Sequence, residues 1–391
     1  MLKKSNVTSI IIVGDFPRSL ELIKGGVQAS VYGLAKVLSN RPEVKFLKVI
    51  SLPSKVQQHD DEKNVDGIHV TYMSTPFAFL LSGLLRISTL WLQGVGTKDC
   101  VHHIHGTGPV QALMIILYRL LDRRFVWTVH GVVEKEVKDQ FRYNPTLKNL
   151  LYTLLYTSLE RLCLILTRQI IVDTPYVRDV IVNRTRAAIH IIPQGILCSE
   201  FRDIHRSDPH NIKTVVSVGV IERRKGHHLL LQAFRKAWEN DNDLRIEILG
   251  SVTDPHYLAE LEQMIIDLQL GQVAHIHTNV SRQKVIGCLM EAGVFALHSE
   301  EESQGIAICE ALAVGLPVIA TSVGGIPYVV NHQRSGFLLP FGDIDNFAES
   351  IVQLTQNRQL HEEMSRNARE DSASFDWSTI AERVLKVYDC T

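Results

Sequence analysis

The sequence has few cysteines, and none of them forms a CxxC pair. The six are scattered along the 391 residues, at Cys100, Cys163, Cys198, Cys288, Cys309 and Cys390. A disulfide framework or a cysteine zinc site requires cysteines at regular, close spacings, so this pattern argues against both. The thiols are expected to be reduced, which predicts a cytoplasmic protein.

The chain also lacks a surplus of either charge. It has 41 Lys and Arg residues against 42 Asp and Glu residues, for a net charge of −1. A protein that binds nucleic acid through a basic surface usually has a clear positive surplus. We therefore expect no nucleic-acid partner.

Long hydrophobic runs are scarce. The first apolar run, Ile10–Val13, stops at Gly14 and predicts a β-strand rather than a signal peptide. Phe77–Val95 is unusually apolar, but Ser and Thr recur in it and Pro76 comes directly before it, so no transmembrane helix is predicted. This stretch predicts a buried helix, and the alternative is a surface that touches a bilayer or a lipid-linked acceptor.

The glycine fingerprint GxGxxG, which binds dinucleotides, is absent and argues against a nicotinamide dehydrogenase. The first predicted strand, 9–16, is followed instead by the pair Gly25 and Gly26 and by a predicted helix over 27–38. A glycine pair at a helix start brings backbone amides close to a ligand. The alternative is an ordinary tight turn.

The most informative stretch is 298–325. Apolar residues after Gly305 predict a short amphipathic helix that stops at Gly315, followed by a buried parallel strand, VIAT, and a second glycine pair. Glu302 and Glu310 bracket the helix start, where the amides of Gly305, Ile306 and Ala307 favour an anion. Carboxylates beside an anion site suit a ligand with hydroxyls and phosphates, such as a nucleotide sugar.

This pattern resembles the donor-site signature of retaining glycosyltransferases of the GT-B fold, most closely glycosyltransferase family 4. The resemblance implies that Glu302 lies close to the transferred sugar and that Glu310 holds the nucleotide ribose. It also implies that the amides of Gly305 and Ile306 bind the diphosphate. The family usually has an aromatic residue where Gln304 stands, which bears on the shape of the donor pocket and on the sugar.

A basic loop follows the predicted strand at 214–219. Arg223, Arg224 and Lys225 precede Gly226, and three cations near a helix start suit a diphosphate, although a solvated basic loop is the alternative. By resemblance, Lys225 is the phosphate-binding lysine of the family. The family's arginine position is occupied here by Val220, and either Arg223 or Arg224 is expected to replace it. The family also has a glycine pair beside the donor phosphates and the acceptor, which residues 24–28 match.

Two predicted strands end in a histidine and a glycine, at His105-Gly106 and at His130-Gly131. Ligands bind beyond the carboxyl ends of parallel strands, so these ends are candidates for the ligand site. The resemblance implies that His130 reaches the donor sugar, whereas His105, Gly106 and Gly131 are expected to shape the acceptor side.

No metal and no cofactor are predicted. His102, His103 and His105 alternate between the two faces of one strand, and no further ligand is spaced to complete a site. The pairs Asp241-x-Asp243 and Asp343-x-Asp345 match the short DxD pattern, but both lie in polar loops, where such pairs arise by chance.

Alternating strands and helices in two halves predict an α/β protein. With the resemblance, the expectation is a GT-B fold with two Rossmann-like domains facing across a cleft. The boundaries are 1–195 for the acceptor domain, 196–370 for the donor domain, and 371–391 for a helix that crosses back to the first domain.

The expected activity is that of a metal-independent hexosyltransferase. It moves a sugar, with retention, from a nucleotide donor (UDP more than GDP) to a glycan or lipid-linked acceptor, with possible peripheral membrane contact. The alternatives are a catalytically degenerate subunit of the same fold, and a 2-epimerase or phosphorylase.

Overall fold

The computed structural model describes residues 9–21, 23, 25–52, 61–73, 100–202 and 212–391. Their contacts divide the chain into two compact units. The first is formed by Met1–Arg18, Val27–Pro193 and Trp377–Thr391, and the second by Ser19–Gly26 and Gln194–Asp376. The apolar stretch Phe77–Val95 lies outside the described residues, and so does Lys24. Among the described residues, no helix is both long and apolar enough to cross a bilayer.

The first unit contains one eight-stranded sheet in the order β3-β4-β2-β1-β5-β6-β7-β8. Its strands are β1 (Ser9–Gly14), β2 (Phe46–Ser51), β3 (Asp61–Val65), β4 (Ile68–Tyr72), β5 (Cys100–His105), β6 (Phe125–Val129), β7 (Gln169–Val172) and β8 (Ala188–Ile191). All neighbours pair in parallel except β3 and β4. The central strands are Val- and Ile-rich and fully buried, as expected for a parallel sheet covered on both faces.

The polar composition of residues 57–66 predicts a loop between the strands β2 and β4, and for Asp61–Val65 this prediction is wrong. These five residues form the antiparallel edge strand β3. Asp66 and Gly67, both with positive φ (55° and 83°), close the hairpin to β4. An edge strand with solvent on both faces needs no hydrophobic alternation, so the sequence pattern did not reveal it.

The helices of the first unit are α1 (Gly25–Ser39, of which Gly25 and Gly26 group with the second unit), α2 (Pro109–Leu120), α3 (Val133–Tyr143), α4 (Leu147–Leu166), α5 (Pro175–Ile181) and the last helix, α13 (Trp377–Tyr388). The last helix is attached to this sheet by hydrogen bonds. The Tyr388 hydroxyl lies 2.7 Å from His103 Nδ1, and Arg124 donates to the Tyr388 carbonyl at 2.8 Å.

The second unit contains a six-stranded, wholly parallel sheet in the order β11-β10-β9-β12-β13-β14. Its strands are β9 (Thr214–Val218), β10 (Arg245–Gly250), β11 (Ala274–Thr278), β12 (Val294–Leu297), β13 (Val318–Thr321) and β14 (Gly336–Leu339). The helices are α6 (Ser199–Arg202), α7 (His227–Asn240), α8 (Pro255–Asp267), α9 (Arg282–Glu291), α10 (Ile306–Val314), α11 (Ile344–Gln356) and α12 (Arg358–Ser372). Apolar clusters lie on both faces of the sheet. The α/β prediction is confirmed.

The helix and strand predicted within 298–325 are present as α10 and β13. Gly305 and Gly315 cap the two ends of α10, both with positive φ. The expected amphipathic character of this helix is wrong, because Glu310 and Cys309 are buried together with its apolar residues. The helix is short and enclosed by the core, so even its charged side chain faces the interior.

Candidate active site

The carboxyl ends of β9 and β12 bring the basic loop and the first predicted carboxylate together. These strands are parallel neighbours, so the segments that follow them leave the same edge of the sheet. Arg223–Lys225 form a short 3-10 turn after β9, and Glu302 lies in the loop after β12. Lys225 Nζ forms an ion pair with Glu302 Oε1, to which the Ser299 hydroxyl also donates at 3.2 Å.

Glu302 is buried, with 8% of its surface exposed, and is nevertheless ionised at neutral pH. Burial alone would raise the pKa of its carboxyl. The charges of Lys225 and Arg224, together with the hydrogen bonds from Lys225 and Ser299, outweigh burial and lower this pKa below its ordinary value. The result is a compact pair of opposite charges that is largely shielded from water.

The structure distinguishes between the two arginines of the basic loop. Arg224 donates to the Glu301 carbonyl at 3.0 Å and to the Glu222 carboxylate at 2.8 Å, which keeps its guanidinium beside the Glu302 loop. Arg223 instead pairs with Glu260 and lies over the Tyr257 ring, 5.1 Å from its centroid. Of the two, Arg224 is therefore next to Glu302.

The start of α10 provides backbone donors near these side chains. Gly305 is the N-cap, with φ 86°, and the first helical hydrogen bond runs from the Ile308 amide to the Gly305 carbonyl at 2.9 Å. The amides of Gly305, Ile306 and Ala307 precede that bond, and such groups have no partner within a helix. Gly26 lies against this start, since a Cβ placed on it would come within 2.9 Å of Ile306 Cδ1.

Gly324 holds the Glu302 loop from the other side. The Gly325 amide donates to the Glu302 carbonyl at 2.7 Å. Gly324 has φ 53°, and a Cβ on it would lie 2.0 Å from that same carbonyl oxygen. Only glycine fits there, which explains the second glycine pair that the sequence analysis noted.

Glu310, the second predicted carboxylate, is paired with an arginine that the sequence analysis missed. Arg282, the first residue of α9, places Nη1 2.7 Å from Glu310 Oε1 and Nη2 3.0 Å from Glu200 Oε2. Burial raises the pKa of the Glu310 carboxyl, and the Arg282 charge opposes only part of that rise. A lone arginine 28 positions before its partner carries no sequence signal. Ser281 caps the helix that Arg282 begins, and its side chain accepts from the Lys284 amide.

Gln304, where the chain departs from the family pattern, contacts Gln194. The Gln304 side-chain amide accepts from the Gln194 backbone N–H at 2.7 Å and donates to its carbonyl at 2.9 Å. It also lies 3.3 Å from Cys309 Sγ. With 2% of its surface exposed, Gln304 attaches the loop before α10 to the segment after β8.

In the first unit, the two predicted histidine ends meet. His105 Nδ1 and His130 Nε2 share a hydrogen bond of 2.9 Å, because they follow the neighbouring parallel strands β5 and β6. The Gly106 carbonyl accepts from Trp127 Nε1 at 2.8 Å, and Gly131 is buried. Burial lowers the pKa of His130 to about 4 and that of His105 further below its ordinary value, so both rings are neutral at pH 7.

Two more histidines of β5 are buried in the same unit. Burial lowers the pKa of His102 to about 4 and that of His103 to about 3. His103 is hydrogen-bonded on both ring nitrogens, to Tyr388 and to Thr128. His102 lies against the Tyr118 ring, with 4.3 Å between centroids.

We expect these neutral histidines to make folding stability depend on pH. Below pH 6.5 the unfolded chain gains protons that the folded chain does not bind, so stability is complete above about pH 6.5 and declines as the pH falls towards 4. At pH 5 each of these histidines lowers the free energy of unfolding by about 2 kcal/mol. Urea unfolding at pH 7 and pH 5 measures the loss. His102→Phe keeps a ring beside Tyr118 and should make the loss of stability between pH 7 and pH 5 smaller by the contribution of one histidine. An unchanged loss would contradict the lowered pKa of His102.

The acidic pairs have structural partners. Asp241 forms an ion pair with Lys213, and the Asp343 carboxylate accepts from the Asn346 amide at 3.2 Å as the cap of α11. Within the part of the chain that the structure describes, no three His, Cys, Asp or Glu side chains are grouped to hold a metal ion.

Comparison with known proteins identifies the family. The family model "Glycosyl transferases group 1" matches residues 200–371, and "Glycosyltransferase Family 4" matches residues 24–200. A D-inositol 3-phosphate glycosyltransferase from Corynebacterium jeikeium is 28% identical over 221 residues, which are 53% of this chain and 53% of that protein. The chain thus spans about half the length of the curated relatives it matches.

Solved structures share the fold. Sucrose-phosphate synthase from Thermosynechococcus elongatus has a TM-score of 0.76 at 19% identity, over 97% of this chain and 98% of that chain. Anabaena HepE in complex with UDP-glucose has a TM-score of 0.72 at 17% identity, over 98% and 100%. These neighbours confirm the predicted GT-B fold, and the two family models confirm the resemblance found in the sequence. The chain belongs to glycosyltransferase family 4, group 1 type.

Proposed function

We propose that this protein is a retaining glycosyltransferase that moves a hexose from a nucleotide diphosphate sugar to a hydroxyl acceptor. The single observation that supports it best is the arrangement beside the start of α10. There Lys225, Arg224 and the helix amides supply positive charge, and Glu302 and Glu310 supply buried carboxylates. A nucleotide sugar contains a diphosphate, which needs positive charge, and two sugars, the ribose and the hexose, whose hydroxyls suit carboxylates.

The leaving diphosphate requires the most stabilisation. When the bond between the anomeric carbon and the phosphate oxygen breaks, its electron pair passes to the diphosphate. Lys225, Arg224 and the amides of Gly305, Ile306 and Ala307 would stabilise that charge, and Gly25 and Gly26 would let the backbone approach the phosphates. We assign the arginine role to Arg224, because Arg223 is engaged with Glu260 and Tyr257.

Retention follows if the acceptor attacks from the side on which the diphosphate leaves. The acceptor oxygen bonds to the anomeric carbon, and its proton passes to the phosphate oxygen that has just been released. Glu302 would then stabilise the developing positive charge of the sugar or position it, rather than attack it. Its lowered pKa keeps it ionised for that role.

We propose binding and positioning roles for the remaining predicted residues. Glu310 would accept hydrogen bonds from the ribose hydroxyls, and His130 would contact the donor sugar as a neutral ring. His105 is proposed to set the tautomer of His130 through their shared hydrogen bond. Gly106 and Gly131 would shape the acceptor side. We propose no metal in this chemistry, because the cationic side chains and amides provide the needed charge.

UDP is the first nucleotide to test, since Anabaena HepE of the same fold was crystallised with UDP-glucose, and GDP is next. The acceptor is proposed to be a glycan or a lipid-linked glycan, reached by a cytoplasmic protein in peripheral contact with the membrane. A second candidate is a subunit of the same fold that binds a nucleotide sugar without turning it over. Gln304 and Val220, which depart from the family pattern, favour that candidate.

A donor panel tests the proposal. UDP-, GDP- and ADP-linked glucose and N-acetylglucosamine are added to the full chain, with and without EDTA, and both the melting temperature and nucleotide release are followed. We expect one nucleotide sugar to raise the melting temperature and to release its diphosphate, equally with EDTA, and Lys225→Ala to abolish both. Stabilisation without release, including with D-inositol 3-phosphate as acceptor, would favour the non-catalytic candidate. No response to any donor would contradict the proposed function.

A further inference from the structure

Helix α4 exposes an apolar face that no assigned role uses. Leu147, Leu151, Leu154 and Ile165 have 72%, 59%, 58% and 69% of their surface exposed. With their exposed neighbours they form what we term the leucine face: Leu147, Leu150, Leu151, Leu154, Leu155, Leu162 and Ile165. Single exposed leucines are ordinary, but a continuous set on one helix marks an interaction surface.

The helix cannot rotate to bury this face, because its polar residues hold it in place. The Thr153 hydroxyl donates to the Val137 carbonyl of α3 at 3.0 Å. The fully buried Glu160 accepts from the amides of Val133 and Glu134, at 2.9 and 3.3 Å, and so caps the start of α3. The structure thus buries Thr153 and Glu160 together with Leu164, and leaves the leucine face outside.

A cationic cavity of about 650 Å³ lies at the carboxyl end of the leucine face. Ile165 and Arg161 of α4 line it. Its charged lining is four cations and one carboxylate: Lys135, Lys138, Arg161, Arg184 and Glu134. Glu134 lies 2.6 Å from Lys138, 2.7 Å from Arg184 and 3.7 Å from Arg161. The buried Glu160 lies 3.5 Å from Arg184, so the four cations have two carboxylate partners and a net positive charge.

The charges on α4 indicate which kind of partner covers the leucine face. Its charged residues are Lys148, Glu160 and Arg161, and since Glu160 is buried, the exposed charges on α4 itself are both cations, while Glu136 of α3 lies near Tyr152. A second copy of the chain, packed antiparallel across a two-fold axis, would place Lys148 close to Arg161 of the partner helix. That arrangement is repulsive. An anionic lipid surface complements both the leucines and the cations.

We propose that the leucine face and the adjoining cavity dock this protein on an anionic phospholipid bilayer. The face is about 27 Å long, from 18 helical steps of about 1.5 Å, and would lie along the boundary between headgroups and acyl chains. Arg161, Lys138 and Arg184 bind lipid phosphates at its end. The inference deepens the membrane contact in the proposed function, and assigns it to α4 rather than to Phe77–Val95.

The test is co-sedimentation of the full chain with vesicles, in the absence of donor and acceptor. One set is pure phosphatidylcholine, and the other contains phosphatidylglycerol at about one third. We expect binding to the anionic vesicles that weakens at high salt, and at least tenfold weaker partitioning to the neutral ones. Since no turnover is measured, failure here leaves the donor panel unaffected.

Matched variants locate the surface. Leu151→Asn combined with Leu154→Asn should lower partitioning at least tenfold, and Arg161→Glu at least fivefold. Ile266→Asn and Arg358→Glu are the controls, because these side chains are about as exposed (66% and 59%) but lie in the second unit. Circular dichroism melting establishes that each variant is folded.

Three results would overturn the proposal. The first is no binding of the wild type to anionic vesicles. The second is equal loss of binding in the control and leucine-face variants. The third is a wild-type dimer in light scattering that becomes a monomer when the two leucines are replaced, since the occupant would then be a second copy.

Discussion

Lys225→Ala is expected to lower glycosyl transfer, or donor hydrolysis, by about 10² to 10³-fold. The Lys225 side chain is 12% exposed and in direct contact with Glu302, which lies three positions before Gly305, the N-cap of α10. A preorganised cation in so dry a site stabilises the leaving diphosphate by several kcal/mol, and its loss is not replaced by water. The measurement is kcat and KM for the donor identified in the panel.

The expected loss appears in donor binding as well as in kcat, because Lys225 contacts the charged diphosphate of the bound donor and that charge grows further as the bond breaks. Glu302→Gln is the companion variant. It keeps Lys225 and the shape of the site but removes the carboxylate, so donor binding should persist while turnover falls. Full turnover by Glu302→Gln would contradict its role in stabilising the sugar.

Lys236→Ala is the matched control for Lys225. Lys236 also forms an ion pair, with Asp345 in the same unit, but its side chain is 51% exposed. An exposed pair of this kind contributes less than about 1 kcal/mol, and we expect less than a twofold change in turnover. If the two alanine variants behave alike, the leaving-group role of Lys225 is wrong.

The second large effect is expected from Arg282→Met, which should destabilise the protein by about 3 to 5 kcal/mol. The variant keeps the apolar part of the side chain but leaves Glu310 and Glu200 without their common cation. Glu310 is only 5% exposed, so its charge would have no partner and little water. Urea unfolding of wild type and variant measures the difference.

The pH dependence of that loss has a definite sign. Burial already raises the pKa of Glu310, and without Arg282 the pKa rises further. A folded-state pKa above the unfolded value means that stability is greatest at low pH and declines as the pH rises through the folded pKa. Arg282→Met should therefore lose more stability at pH 8 than at pH 5.

A double-mutant cycle separates the pair from the rest of the structure. Arg282→Met combined with Glu310→Gln removes the unpaired charge and should recover a large part of the lost stability. Arg358→Met, whose partner Glu362 is exposed, should leave the free energy of unfolding almost unchanged. No recovery in the double variant would mean that Arg282 acts through packing or through Glu200 instead.

Much of the site could be predicted because its residues are close in sequence. Glu302, Gly305 and Glu310 lie within nine positions, and the glycines at 305, 315 and 324 mark turns that only glycine makes easily. The strands were predictable for a similar reason, since a parallel sheet covered on both faces needs continuous runs of Val and Ile. Asp61–Val65, a polar edge strand, escaped that reasoning.

The features that followed from the sequence alone were therefore local: two sets of alternating strands and helices, the family signature, and the residue types around α10. The contacts between residues that are distant in the sequence followed only from the tertiary structure. In the folded chain Arg282 pairs with Glu310, Arg224 rather than Arg223 lies beside Glu302, and Thr153 and Glu160 face inward on a helix with a broad apolar face. The physical reason is that the partner of a buried charge or hydroxyl can come from any part of the chain, whereas periodicity reports only neighbours within one or two turns.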